Sequence, residues 1–235
     1  MNRHRIGKVL LVLGALLGTL LAGLAWWAEI EASQYGFVRY TRDRMSALRC
    51  PVFIGPHETL AVRTTVTNRK ADYRAQFTVR ITKSSPAMFE SETVRFRLAP
   101  GERRVLEWPI GPENIDVGHF IFVDVYQFGG YPNRPLQGQC GVFVLPFDLP
   151  GNFALWGGLA LTLALLWGGW LLWRRGLVSD EVGTATARGL DFLSLVVPVS
   201  MVVAFWGHWL LAAPLVLLDG MALLGLLVFQ VAQVD

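Results

Sequence analysis

Residues 9–27 read VLLVLGALLGTLLAGLAWW, nineteen residues without a charge that end in a tryptophan pair. A hydrocarbon core about 30 Å thick takes about 20 helical residues, so this run is long enough to cross it. Arg3, Arg5 and Lys8 precede it, as basic residues precede the apolar part of a signal peptide. The run is longer than the roughly 7–15 apolar residues of such a peptide, however, and it closes on Trp26-Trp27 rather than a small-x-small cleavage site. It reads as a retained helix whose tryptophans sit at a membrane–water interface.

The rest of the composition agrees. Of 235 residues, 53% are hydrophobic and only 17% charged, which excludes a disordered chain. The mean hydropathy is +0.41. Two cysteines are too few for a disulfide-dense mini-protein or a four-cysteine zinc site. The net charge of +3 is too small to imply nucleic acid. Arginine makes up nearly all of the 21 basic residues, a bias that points to a bacterial source.

Two further apolar stretches follow. Residues 153–173 carry no charge, and residues 192–234 carry only Asp219. The second stretch is too long for one span, so it is expected to fold as a hairpin, 192–210 and 215–234, turning near Leu211–Pro214. The expected architecture is α + β, with four transmembrane helices (9–27, 153–173, 192–210, 215–234) and a β domain inserted between the first two. Arg3, Arg5 and Lys8, then Arg174 and Arg175, then Arg188 fall on one side if the N-terminus is cytoplasmic. Residues 1–8, the loop 174–190 and the C-terminus are then inside, and 28–150 is periplasmic or extracellular, in a multi-pass protein of the cytoplasmic membrane.

The inserted segment changes character. Residues 60–68 alternate Leu60, Val62, Thr64 and Val66 on one face, and 73–82 alternate Tyr73, Ala75, Phe77, Val79 and Ile81 against Arg74, Gln76, Thr78 and Arg80. Residues 93–98 set Val94, Phe96 and Leu98 against Arg95 and Arg97. Strands are also expected at 52–54, 104–110, 118–128 and 138–147, with 118–128 apolar on both faces as in a central strand. Ala99-Pro100-Gly101-Glu102 has the proline and glycine of a type II turn. Seven short strands between turn signals predict a β-sandwich. Residues 33–49, with four arginines among aromatics, read either as an interfacial helix or as an extended linker with solvated charges.

The strands 60–68 and 73–82 and the stretch LAPGERRVLEWPI, residues 98–110, resemble an immunoglobulin-like sandwich of the adhesion or fibronectin type. The resemblance covers about half the chain and implies a fold, not a function. In such a sandwich the first and last strands can be neighbours. Cys50 and Cys140 are therefore expected to form a disulfide, in a compartment where disulfides persist.

Few residues carry chemistry. Cys50, His57, Met88, His119 and Cys140 are ligand types suited to copper, but none stands at a ligand spacing, so no metal and no cofactor is expected. Nucleophile elbows, phosphate loops and zinc-protease motifs are lacking, and the pair Glu90 and Glu92 reads as solvent-facing charge. No catalytic residue is assigned, and the chain is not expected to be an enzyme. Asp219 lies inside an apolar run, where a carboxylate is costly and faces protein or a partner. His208 is its expected neighbour across the hairpin. Gly14, Gly18 and Ala22, with Gly157 and Gly158, form small-residue stripes that admit close helix approach.

These features predict a non-catalytic accessory or scaffolding subunit of a larger bacterial membrane complex. Its partners are the lipid bilayer and other membrane subunits, with no nucleic acid. Its docking elements are the glycine-striped helices and the loop around Tyr126, Phe128, Tyr131, Pro132 and Pro135. A stand-alone envelope protein binding a ligand or polymer through the sandwich is the alternative. A transporter or membrane enzyme using Asp219 is the second.

Overall fold

The computed structural model describes residues 3–70, 72–86, 89–129, 133–175 and 184–231. The chain divides into two compact units. One comprises Met1–Trp27 with Phe153–Asp235, the other Ala28–Asn152.

Among its described residues the second unit has seven strands in two sheets. They are β1 (Phe53–Ile54), β2 (Leu60–Thr67), β3 (Ala75–Lys83), β4 (Glu90–Leu98), β5 (Arg103–Ile110), β6 (Phe120–Gln127) and β7 (Leu136–Val144). The five-stranded sheet has the order β1-β7-β6-β3-β4, and β2 pairs with β5 in the other. All pairings are antiparallel except β1 with β7. The alternation decides which face is buried. Phe77, Val79 and Ile81 of β3 share one core with Val62 and Val66 of β2 and with Leu106, Trp108 and Ile110 of β5. This is a mixed β-sandwich, with strand ends up to three residues from the expected ones. β4 begins earlier than expected because Glu90–Glu92 pair with Ile81–Lys83 although they bury nothing.

The turn Ala99–Glu102 is closed by Glu102 N donating to Ala99 O at 3.1 Å, with Gly101 at φ +73°. Asn68, fully buried just after β2, anchors it, its backbone N donating to Glu102 O and its O accepting from Gly101 N. Its side-chain amide donates to Tyr73 O and Leu98 O, each at 3.0 Å. Cys50 and Cys140 form a disulfide, tying the segment before β1 to β7.

Residues 35–49 do not form an interfacial helix. The first helix, α1 (Arg3–Gln34), runs past the expected boundary and then stops, and the chain continues extended. Arg44 bridges Gln137 of β7, and Arg49 bridges Arg63 of β2. Arg39, Arg42 and Arg44 are exposed, so their charges are solvated.

The other unit is helical: most of α1, then α2 (Gly151–Arg175), α3 (Thr184–Phe205) and α4 (Trp209–Val231). Among the described residues two helices are long and apolar enough to cross a membrane, Ile6–Gln34 and Gly151–Arg174. The apolar parts of the other two, Gly189–Phe205 and Leu210–Leu226, fall short of that length, so the four expected spans reduce to two by this criterion. The α3–α4 turn also moves. It falls at Trp206–His208, where Gly207 takes φ +72°, the left-handed conformation that ends helices. Pro214 lies inside α4 rather than in the turn. Near its start it removes only one helical donor, and α4 continues through it.

The helices pack through their small residues. A Cβ on Gly14 would stand 2.9 Å from Leu165 Cβ and Leu166 N of α2, and one on Gly18 would stand 2.4 Å from Val197 of α3. Ala22 is fully buried. Gly158 meets Leu21, whereas Gly157 meets only Phe153 of its own helix. Gly14, Gly18 and Gly158 are thus used inside the unit, which removes them from the expected external contact. At one end Asp191 of α3 accepts from Trp170 Nε1 at 2.6 Å and lies 3.5 Å from Arg174, whose guanidinium covers the Trp170 ring.

Candidate docking surface

β6 is buried on both faces because its outer face, turned away from β2 and β5, is covered by residues 35–40. Tyr35 packs on Phe122 with ring centroids 4.2 Å apart, and its hydroxyl donates to Asp116 Oδ2. Burial and the Asp116 carboxylate push the Tyr35 hydroxyl well above its usual range, which keeps it a donor. Further along, Tyr40 stacks on Tyr126 at 4.7 Å.

Gln137 of β7 holds this segment in place. Its Nε2 donates to Val38 O at 2.9 Å and to Asp124 Oδ1 at 2.7 Å, while its Oε1 accepts from Tyr40 N at 2.9 Å. Asp124 is buried, and burial raises its carboxyl above the ordinary value. Donation from Gln137 and Gln139, and the charge of Arg80, oppose that rise.

Beyond the covered strip the sheet face is open. Strand register orders it: Arg80 stands opposite Tyr126 on one side and Thr93 on the other, and Thr78 stands opposite Arg95 and Gln76 opposite Arg97. Phe128 N donates to Thr78 O, which places Phe128 beside Thr78. The Arg80 guanidinium lies over the Tyr40 ring at 4.9 Å and over the Phe128 ring at 5.6 Å. Tyr40 and Phe128 remain 47% and 39% exposed, so their apolar area is available for contact. The surface is therefore aromatic on the β6 side and basic on the β4 side. Among the described residues, no carboxylate lies within ion-pair distance of Arg95 or Arg97.

Of the expected docking loop, Tyr126 and Phe128 are part of this surface, and Tyr126 is half-buried by its stacking. Pro135 closes the neck of the loop: a Cβ on Gly129 would stand 2.6 Å from its Cδ. Tyr131 and Pro132 lie outside the described residues. Tyr40, Arg80, Arg95 and Arg97 are additions. The alternation had already put Arg80 opposite the core face of β3, and Arg95 and Arg97 opposite that of β4. What the sequence did not show was that these strands are neighbours.

The other candidates stand apart. His57 and His119 are exposed, Cys50 and Cys140 are bonded to each other, and Met88 lies outside the described residues. Among the described residues no three His, Cys, Asp or Glu side chains group to hold a metal. Glu90 pairs with Lys83 at 3.2 Å rather than with Glu92. His208 is exposed in the α3–α4 turn, whereas Asp219 is fully buried in α4, so the two are not brought together. They stand eleven positions apart along the helix, about 16 Å. Asp219 has Ser200 beside it, but the Ser200 hydroxyl donates to Val196 O at 3.0 Å. Among the described residues neither buried Asp219 oxygen has a hydrogen-bond partner. A scan against protein-family models and a search of curated proteins each return no match.

Proposed function

We propose that this chain is a membrane-anchored, non-catalytic accessory subunit that docks a partner protein through the outer face of its five-stranded sheet. The observation that carries this reading is the open aromatic–arginine surface of Tyr40, Arg80, Tyr126 and Phe128, continued by Arg95 and Arg97. Aromatic rings and arginine are the side chains most enriched where interfaces hold their binding energy. A rigid sheet presents them, so little ordering entropy is lost on contact. Helices α1 and α2 supply the anchor, with α3 and α4 packed against them through Leu190, Leu193, Val197 and Leu223. The basic residues flanking α1 and α2 favour a cytoplasmic N-terminus and an extracytoplasmic sandwich.

The sandwich itself is read as immunoglobulin-like. The run β7-β6-β3 facing β2-β5 supports this reading, with β4 as an extra strand beside the third, whereas β1 departs from it by lying beside β7 rather than with β2 and β5. Its disulfide departs from the antibody pattern, since it reaches β7 from the segment before β1 rather than crossing between the sheets' central strands.

The test is purification of the tagged full-length protein from its native membranes in mild detergent, with mass spectrometry of what accompanies it. A stoichiometric membrane partner that is lost from the Tyr40→Ala/Phe128→Ala variant is the expected result. A protein that purifies alone contradicts the proposal. The same rings also form a platform on which sugars stack, which favours polymer binding as the second reading. Retention on an immobilised cell-envelope polysaccharide, with no protein partner, would select it.

A further inference from the structure

The five-stranded sheet ends at β4, which among the described residues is hydrogen-bonded on one side only, to β3. β4 is nine residues long, Glu90–Leu98, with neither proline nor glycine. Every second pair of its backbone N–H and C=O groups points away from β3, as in any edge strand. The other edges are poorer templates. β1 has two residues. β2 is bridged by Arg49, and β5 carries Pro109, which lacks a donor.

Charge says what fits the β4 edge. On the outer face its side chains are Ser91, Thr93, Arg95 and Arg97, with Arg80 one strand behind Thr93. A strand added to this edge places alternate side chains about 5 Å from Arg95 and Arg97. Acidic residues at i and i+2 meet both arginines, and basic ones are repelled. A second copy of the chain fits less well. Antiparallel self-pairing of β4 keeps outer residues opposite outer residues. It can set Arg95 against Ser91 or Thr93 but supplies no carboxylate to either arginine.

We infer that β4 receives an extended segment of the partner protein, which adds a sixth strand and directs alternating Asp or Glu side chains onto Arg95 and Arg97. This rests on the docking role proposed above and names the partner's chemistry. Main-chain pairing provides the affinity and the two arginines select the sequence, the division of labour usual in strand addition.

The experiment uses full-length protein in detergent and a fluorescent eight-residue threonine–glutamate repeat as the probe, followed by anisotropy. Three results are expected. The probe binds, and a threonine–lysine repeat does not. N-methylation of alternate probe residues, which removes the edge-pairing donors, weakens binding at least tenfold. Arg95→Glu/Arg97→Glu abolishes binding, while Arg69→Glu/Arg103→Glu, an equal charge change elsewhere, leaves it within twofold. If the reversed variant loses the parent's circular dichroism spectrum, Arg95→Gln/Arg97→Gln takes its place with a tenfold loss expected. Undiminished binding of the N-methylated probe overturns strand addition, as does heparin binding in place of the peptide. Dimerisation through β4, detected by loss of a dimer in the Arg95→Glu/Arg97→Glu variant, overturns the acidic partner. If a partner co-purifies equally with parent and reversed variant, this inference fails and the accessory role stands. If nothing co-purifies, the role itself fails.

Discussion

Gln137→Leu is the most informative single change, because this one side chain makes two hydrogen bonds to the covering segment and a third to Asp124 beneath it. The substitution removes two neutral hydrogen bonds, to Val38 O and from Tyr40 N, worth about 1 kcal/mol each. It also removes the donor to the buried Asp124 carboxylate, worth about 1.5–3 kcal/mol. The more apolar leucine returns about 1 kcal/mol by burial. The net loss is about 3 kcal/mol, concentrated in residues 35–44. Hydrogen exchange of the full-length protein, read at peptides covering Tyr40, should then be faster by about a hundredfold. The pH dependence adds a signature. Burial already holds the Asp124 carboxyl above its unfolded value, and losing Gln137 raises it further. A folded-state carboxyl above its unfolded value penalises folding once the pH exceeds the unfolded value. That penalty shrinks as the pH falls back towards it. The deficit against the parent should therefore narrow between pH 7 and pH 4.5. Unchanged exchange, or a deficit that widens as the pH falls, refutes this account of the Gln137 contacts.

Three other outcomes follow from the same geometry. Cys50→Ser/Cys140→Ser opens a loop with a sequence separation of 90 and should cost about 4–5 kcal/mol of sandwich stability in a thermal melt. Gly141→Val should prevent the end of α1 from lying on β7, because even a Cβ there stands 1.9 Å from Ala28 O. Its readout is limited proteolysis at residues 30–40, with cleavage at least tenfold faster than in the parent. Gly14→Leu/Gly18→Leu should loosen α1 from α2 and α3, seen as a lower melting temperature in detergent, since even a Cβ at either site would stand inside van der Waals contact with its neighbours.

How much of this was legible in the sequence differs by element. Strands β2, β3 and β5 were legible because a half-buried strand writes its two faces as alternation, and Phe77–Ile81 against Gln76–Arg80 is such a record. β6 was legible as a central strand, but not for the right reason on its outer face. Phe122 is covered there by Tyr35, which is 87 positions away in sequence and leaves no periodic trace. The fate of residues 35–49 was unreadable for a related cause. Their hydrogen bonds go to Gln137 and Arg63, so nothing local distinguishes a pinned strand from a solvated linker. The helix hairpin was misplaced because Pro214 is a strong local signal, while Gly207 becomes decisive only through its positive φ. The glycine stripe was visible, but spacing alone does not separate packing inside one chain from packing on a partner.

The docking face shows the same division. Tyr126 and Phe128 were found as loop-flanking aromatics. Tyr40 and Arg80 became part of one surface only when β3, β6 and residues 35–40 came together. Lateral order within a sheet is set by tertiary pairing, so a sequence can report which way Arg95 points without reporting what stands beside it.

The most direct test places a photo-reactive phenylalanine analogue at Phe128, in full-length protein made in its native membrane. A second variant carries it at Thr65, an exposed position on the two-stranded sheet. The account predicts one discrete cross-linked protein product from position 128 and none from position 65. No product from 128, or equal products from both, contradicts docking through the outer face of the five-stranded sheet.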